Sequence, residues 1–187
     1  KVIAADIREE KSTYKLRKYQ QPAFKKFLDV GAIGLFHPTG AGKSMIAMKA
    51  CDIIKGKKLI IVPSKTLIEQ WKNYIETYIP HCKDEIEINT YQWRKSDNVE
   101  YALVIYDECQ RLPANTFSKL SLIKSKYRIG LSASPHREDG RESYIFALTG
   151  FPIGLNWSEY MKESGRSYHP IHVHVVKSDA SKLRKIN

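Results

Sequence analysis

The stretch from Ala32 to Ile54 constrains the fold more than any other part of the chain. Five apolar residues, Ala32 to Phe36, run without a break into His37-Pro38-Thr39-Gly40-Ala41-Gly42-Lys43-Ser44. The loop then opens onto a helical pattern that turns Met45, Ile46, Ala50, Ile53 and Ile54 inward. The order is therefore strand, glycine loop, helix. Glycines allow backbone N–H groups to converge on phosphates, a lysine neutralises the outer charge, and a hydroxyl can hold a divalent cation. Gly40, Gly42, Lys43 and Ser44 supply these parts, with Thr39 and Ala41 completing the loop. The helix N-terminus adds a favourable partial charge for an anion. A full pattern of this kind begins with glycine, and His37 stands in that place.

A site for a nucleoside triphosphate and Mg2+ also needs a carboxylate for the metal and a second one to orient or deprotonate water. Asp107 and Glu108 follow the apolar run Tyr101 to Tyr106, which reads as a central parallel strand. Adjacent acids at a strand end more often make a solvated turn. The carboxyl ends of neighbouring parallel strands form one crevice, however, and that pairs these acids with the upstream loop.

The remaining pattern alternates strands with helices. A helical stripe runs from around Tyr14 through Leu16, Tyr19, Ala23, Phe24, Phe27 and Leu28. After Gly56 come a buried strand, Lys58 to Val62, a turn at Pro63-Ser64, and a helix with Leu67, Ile68, Trp71, Tyr74, Ile75 and Tyr78 on one face. Strands are also expected over Glu85 to Asn89 and Tyr127 to Leu131, with a short helix after Pro113 and a break at Ser132-Ala133-Ser134-Pro135. From Gly150 the composition shifts towards a linker or edge strand, ending in an alternating run, Ile171 to Val176. His172 and His174 share one face of that run without a third metal ligand at a recognisable spacing. The expected fold is α/β, with a central, mostly parallel sheet flanked by helices.

At 187 residues the chain suits one domain with ragged ends. No apolar run approaches the roughly 20 residues of a membrane span, so no membrane partner is expected. Three widely spaced cysteines suggest neither a disulfide framework nor a zinc pattern, which fits an intracellular setting. The net charge of +11 favours a polyanionic partner, nucleic acid first among them. On charge alone, a merely basic surface fits as well. A basic and aromatic patch at Trp93, Arg94 and Lys95 is equally open to reading as a solvated loop.

The motifs together are specific. LRKYQ at 16–20, PTGAGKS at 38–44, VPSKTLIEQW at 62–71, INTYQ at 88–92, YDECQRLPA at 106–114, GLSASPHRED at 130–139 and NWSEY at 156–160 occur in that order. In these the chain resembles the first motor domain of superfamily-two helicases, and within them the XPB family of DNA translocases of repair and transcription. The resemblance implies a RecA-like domain of the phosphate-loop NTPases over residues 16–160. It makes 1–15 an N-terminal extension left from a preceding region, and 161–187 a linker or edge strand towards a second motor lobe. It implies ATP and Mg2+ as cofactors, with Arg17 and Gln20 on the adenine, Lys43 on the β and γ phosphates, Ser44 and Asp107 on magnesium, and Glu108 on the attacking water. Pro63, Ser64, Lys65, Thr90, Tyr91 and Arg137 would meet DNA, Arg137 through a Arg-Glu-Asp tripeptide associated with strand separation. Gln110, Ser132 and Ser134 would couple the ATP site to the DNA face.

Gln110 departs from the usual histidine of the acidic box, which keeps hydrogen bonding and loses imidazole titration. Partners implied are DNA, a second RecA-like lobe of the same full-length chain, and repair proteins such as a nuclease or TFIIH subunits. The compartment implied is cytoplasm or nucleoid in a prokaryote and nucleus in a eukaryote. A restriction-enzyme or phage-type helicase motor shares the first-lobe motifs and stands as an alternative, as does a non-motor nucleotide-binding module.

Overall fold

The computed structural model describes residues 1–92, 99–111, 119–134 and 142–155, with Tyr160 and Lys162. Its strands are β1 (Ala32–Phe36), β2 (Lys58–Val62), β3 (Ile86–Thr90), β4 (Tyr101–Asp107), β5 (Ser125–Ser132) and β6 (Phe151–Gly154). They form one parallel sheet in the order β3-β2-β4-β5-β1-β6. The helices are α1 (Gln21–Val30), α2 (Lys43–Ile53), α3 (Lys65–Tyr78) and α4 (Glu142–Thr149).

Alternation along each strand splits the core into two layers. Ile33, Leu35, Ile60, Val62, Leu103, Ile105 and Ile129 pack with Phe27, Ile46, Trp71 and Ile75 from α1, α2 and α3. Leu59, Ile61, Val104 and Tyr106 point the other way, with Leu120, Ile145 and Leu148. α4 lies close to its strands because two facing positions lack side chains. A Cβ on Gly130 would sit 2.2 Å from Thr149 Cγ2, and one on Gly34 would sit 2.8 Å from Thr149 Oγ1. This central stack places the carboxyl ends of β1, β4 and β5 side by side.

The first fifteen residues lie against the sheet's helical layer. Val2 is buried and its N–H donates to Leu28 O at 2.9 Å, while Ile7 forms an antiparallel bridge with Ile54. Arg8 reaches Glu85 through both terminal guanidinium nitrogens, at 2.8 and 2.6 Å, and Glu85 also takes the ammonium of the fully buried Lys58.

Three readings of the sequence need correction. The first helix starts at Gln21, after a 3-10 turn over Lys18–Gln20, and not near Tyr14. Pro22 has no N–H for an upstream carbonyl, so it belongs in a first turn and ends any helix that would have passed through it. Tyr14 and Leu16 still pack against the core, from a non-helical segment. Met45, which the stripe had inward, packs against the core but is only half-buried. α4 and β6 were not expected as separate elements, and β6 is an edge strand within residues 16–160. The short helix after Pro113 falls partly outside the described residues, with helix at 119–121. The run Ile171 to Val176, Trp93 to Lys95 and Arg137 lie outside them altogether. Among the described residues, no helix is long and apolar enough to cross a membrane.

Candidate functional site

The glycine loop and the acidic pair meet. Thr39, Gly40, Gly42, Lys43 and Ser44 share the wall of a cavity of about 350 Å³ with Leu67, Gln70, Trp71, Tyr74, Asp107 and Glu108. The N-terminus of α2 forms one side of it, and Gly42 is the cap residue, at φ 74°. A Cβ there would meet left-handed backbone strain and stand 2.5 Å from Gln20 Nε2. Lys43 Nζ donates to His37 O at 2.9 Å and to Pro38 O at 3.4 Å. Burial pulls the lysine below its ordinary pKa, against the upward pull of Glu108 and Asp107.

Asp107 ends β4 and is 8% exposed. Its Oδ2 accepts the indole N–H of Trp71 at 2.8 Å and its Oδ1 accepts the Glu108 N–H at 3.0 Å. Burial raises its pKa, and the Trp71 hydrogen bond opposes that rise. Glu108 is, among the described residues, the one non-glycine with positive φ, at 49°. Such backbone costs roughly 1–3 kcal/mol and is concentrated at functional sites. Gln110 Nε2 donates to Glu108 Oε2 at 2.5 Å, so the residue in the place of the usual histidine holds the second carboxylate.

The LRKYQ segment lies beside the loop. Gln20 is 3% exposed, and its amide donates to Ala41 O at 2.9 Å and Gly42 O at 3.1 Å while accepting from Arg17 N at 2.9 Å. It is a strut under the loop. The exposed Arg17 donates to Tyr19 OH at 3.1 Å. Tyr19 stacks edge-on with Tyr160 at 5.6 Å, and Tyr160 OH donates to Gly40 O at 3.1 Å, which brackets the buried Ala41. His37 is 1% exposed, and its Nδ1 has no hydrogen-bond partner among the described residues. Burial pushes its pKa down to about 4, with Lys43 adding to the effect.

The expected DNA residues divide. The register pairs Val62 with Thr90, which puts Pro63, Ser64, Lys65 and Thr90 together at the carboxyl ends of β2 and β3, with Ser64 and Lys65 exposed. Tyr91 turns inward instead. It is 3% exposed, and its hydroxyl donates to the backbone carbonyl of Asp107. Its ring is spent on the acidic strand end, so it is not available to a ligand outside. Ser132 is fully buried beside Phe36 of β1, and its Oγ accepts the Ser134 N–H at 3.1 Å, closing a local turn next to the phosphate loop. Reading the chain linearly left three site neighbours out: Trp71 as a partner of Asp107, the strut role of Gln20, and Tyr160. A buried indole whose N–H needs an acceptor was the one available signal.

One group of potential metal ligands lies elsewhere among the described residues, Asp52, His81 and Cys82. Arg8 Nη2 stands 3.2 Å from Cys82 Sγ, and Asp52 already accepts the N–H groups of Lys11 and Ser12. A guanidinium on the sulfur opposes a cation there.

Residues 13–102 match the family described as Type III restriction enzyme, res subunit. The chain is 35% identical over 162 residues to Rad25 of Halobacterium salinarum, covering 76% of this chain and 27% of that protein. It is 34% identical over 155 residues to the DNA 3'-5' translocase XPB2 of Sulfurisphaera tokodaii, covering 75% of this chain and 35% of the relative. Among solved structures, the UvsW helicase from bacteriophage T4 aligns with a TM-score of 0.62 at 22% identity, over 80% of this chain and 64% of that one. That likeness speaks to the fold, which is RecA-like. The chain spans well under half the length of these two curated relatives. Over about three quarters of its length the chain is similar in sequence to the XPB/Rad25 proteins, and its fold is that of a RecA-like domain bearing the phosphate loop.

Proposed function

We propose that this chain is the ATP-binding lobe of an XPB-like, ATP-dependent DNA helicase or double-stranded DNA translocase. The observation that carries the reading is the single cavity shared by Gly40, Gly42, Lys43 and Ser44 with Asp107 and Glu108. Lys43 would exchange the carbonyls of His37 and Pro38 for the β and γ phosphates. Arg17, bonded to Tyr19, would meet the adenine, and Gln20 with it, while Gln20 would also hold the loop in shape.

The oxygen donors suit a hard cation. Ser44 contributes a hydroxyl, and each Asp107 oxygen accepts one N–H and retains a second acceptor direction. Ser44 and Asp107 would hold magnesium, which would supply positive charge against that of the phosphates. Glu108, fixed by Gln110, would orient the attacking water. The exposed Ser64 and Lys65 with Pro63 and Thr90 suit a grip on the sugar-phosphate backbone, and Arg137 belongs to the same reading. Ser132 and Ser134 would relay between the two faces. A second lobe would supply the arginines that stabilise transition-state charge, and duties in repair or transcription inside the cell, with a nuclease or TFIIH subunits as partners, follow the relatives.

DNA-stimulated ATP turnover by the full-length protein tests this. Lys43→Ala and Glu108→Gln are each expected to abolish it, and persistence in both overturns the assignment. The 187-residue chain alone should bind nucleotide and hydrolyse it poorly; robust unwinding by this chain would refute the two-lobe argument. The restriction-family match over residues 13–102 supports a second reading, the motor of a restriction enzyme. A nuclease motif downstream, in place of a second motor lobe, would decide for it.

A further inference from the structure

Asp107 is gripped from two elements that the sequence treats as unrelated to it. Trp71 sits midway along α3 and is 1% exposed, so its ring is a core anchor. Its one polar atom still needs an acceptor, and it takes a carboxylate oxygen of Asp107 at 2.8 Å. The other oxygen takes the Glu108 N–H at 3.0 Å. Rotating the carboxylate about its Cβ–Cγ bond would break both bonds. The backbone is held as well. Tyr91 follows β3, its N–H donates to Val62 O at 3.0 Å, and its hydroxyl donates to Asp107 O. Since β2 lies between β3 and β4, the phenol ring spans the end of a strand to reach its partner.

We infer that Trp71 and Tyr91 are positioning residues for Asp107, locking the carboxylate and its backbone in the orientation that a divalent cation requires. The inference rests on the reading of Asp107 as a magnesium ligand. Magnesium accepts little departure from octahedral geometry, so a carboxylate held before the ion arrives saves the cost of ordering it afterwards. Partners that orient metal ligands are typically worth about 10–100-fold in metal affinity. Trp71 acts on the liganding group itself and Tyr91 only on its backbone, so the indole carries the larger effect.

The test uses the 187-residue chain and a fluorescent N-methylanthraniloyl ATP analogue, titrated with saturating Mg2+ and again in EDTA. The readout is the ratio of the two affinities. Trp71→Phe, which removes the N–H, is expected to lower that ratio about tenfold, and Tyr91→Phe about threefold. A core-filling role alone would weaken both affinities together and leave the ratio intact, which would overturn the inference. Should Trp71→Phe fail to fold, Tyr91→Phe, which loses a single hydroxyl, decides by the same ratio. If the unsubstituted chain shows no magnesium-dependent binding, the site reading falls and the inference falls with it. A magnesium-dependent parent with unshifted variants removes the inference alone.

Discussion

The two ends of α2 have opposite characters. At the rear, charges are matched. Lys49 Nζ donates to Glu10 Oε1 and Ser12 Oγ, both at 2.6 Å, and to Tyr14 O at 2.9 Å, and stands 4.3 Å from the centre of the Tyr14 ring. The fully buried Asp52 accepts the Ser12 N–H at 2.9 Å and pairs with His81 Nε2 at 2.7 Å, and Arg8 Nε donates to Asp52 O at 2.7 Å. At the front, Lys43 bonds to neutral loop carbonyls, the cap is a left-handed glycine, and an imidazole nitrogen is buried without a partner among the described residues. One helix thus has an end invested in stability and an end whose bonds are easily exchanged. A loop that must trade internal contacts for phosphate contacts needs the second kind of end, and residues 1–15 supply the first.

The largest effect expected is on chemistry, at the front. In the full-length protein Lys43→Ala should reduce ATP turnover by a factor of 100 or more, on the order of other losses of transition-state charge stabilisation. Its unfolding free energy should change by about 1 kcal/mol or less, because the bonds lost to the His37 and Pro38 carbonyls are offset by relief of a half-buried ammonium. Calorimetry beside steady-state turnover checks both; a collapse of stability in Lys43→Ala would break the contrast. At the rear the expectation reverses. Asp52→Ala removes a buried carboxylate and strands the N–H groups of Lys11 and Ser12, which should cost about 3 kcal/mol. Chemical denaturation measures this. A variant of unchanged stability would show that residues 1–15 do not brace the helix.

Much of the front was legible because it is contiguous. β1 and β2 have the bounds expected from their apolar runs, and Gly40 to Ser44 carry their chemistry in five consecutive residues. β5 extends by two residues before and one after the expected run, since Ser125, Lys126 and Ser132 continue a ladder that their polarity does not announce. α4 and β6 were obscured by Ile145 to Leu148, an apolar block without period, and by Pro152, which argues against a central strand but is tolerated at an edge. The rear and the support of the acidic pair were not legible for a different reason. Trp71 and Asp107 are 36 residues apart and Arg8 and Glu85 are 77 apart, and no local pattern registers such pairs. Tyr91 shows the same limit, because its place in a motif said nothing of the direction of its ring.

Acid should separate the two ends. Burial holds the His37 imidazole at about 4, from an ordinary value of 6.5, so between those values the unfolded chain takes up a proton that the folded chain refuses. Stability from this source is complete above pH 6.5 and declines as pH falls towards 4, by at most ~3 kcal/mol. His37→Gln should flatten that part of the profile. At the rear, the Arg8 guanidinium and then the Lys58 ammonium hold Glu85 down at about 2, from 4.5. Its contribution is present above pH 4.5 and is lost as pH falls through 2. Urea midpoints measured from pH 7.5 to 3.5 for the parent and His37→Gln check the order; identical profiles would remove the front from the account of acid sensitivity.

The smallest effect expected concerns Tyr160, whose hydroxyl reaches Gly40 O at 3.1 Å. Tyr160→Phe keeps the edge-on packing with Tyr19 and removes one neutral hydrogen bond to a loop carbonyl, a change of about 1 kcal/mol or less. If the front loop is only lightly held, losing a single tie should be felt locally. Hydrogen exchange of the amides over residues 39–42 should quicken by severalfold while exchange in β4 stays as it was. Equal acceleration in both would mean that the loop opens only when the sheet does. The two ends of α2 would then be one cooperative unit, and their contrast in bonding would have no counterpart in motion.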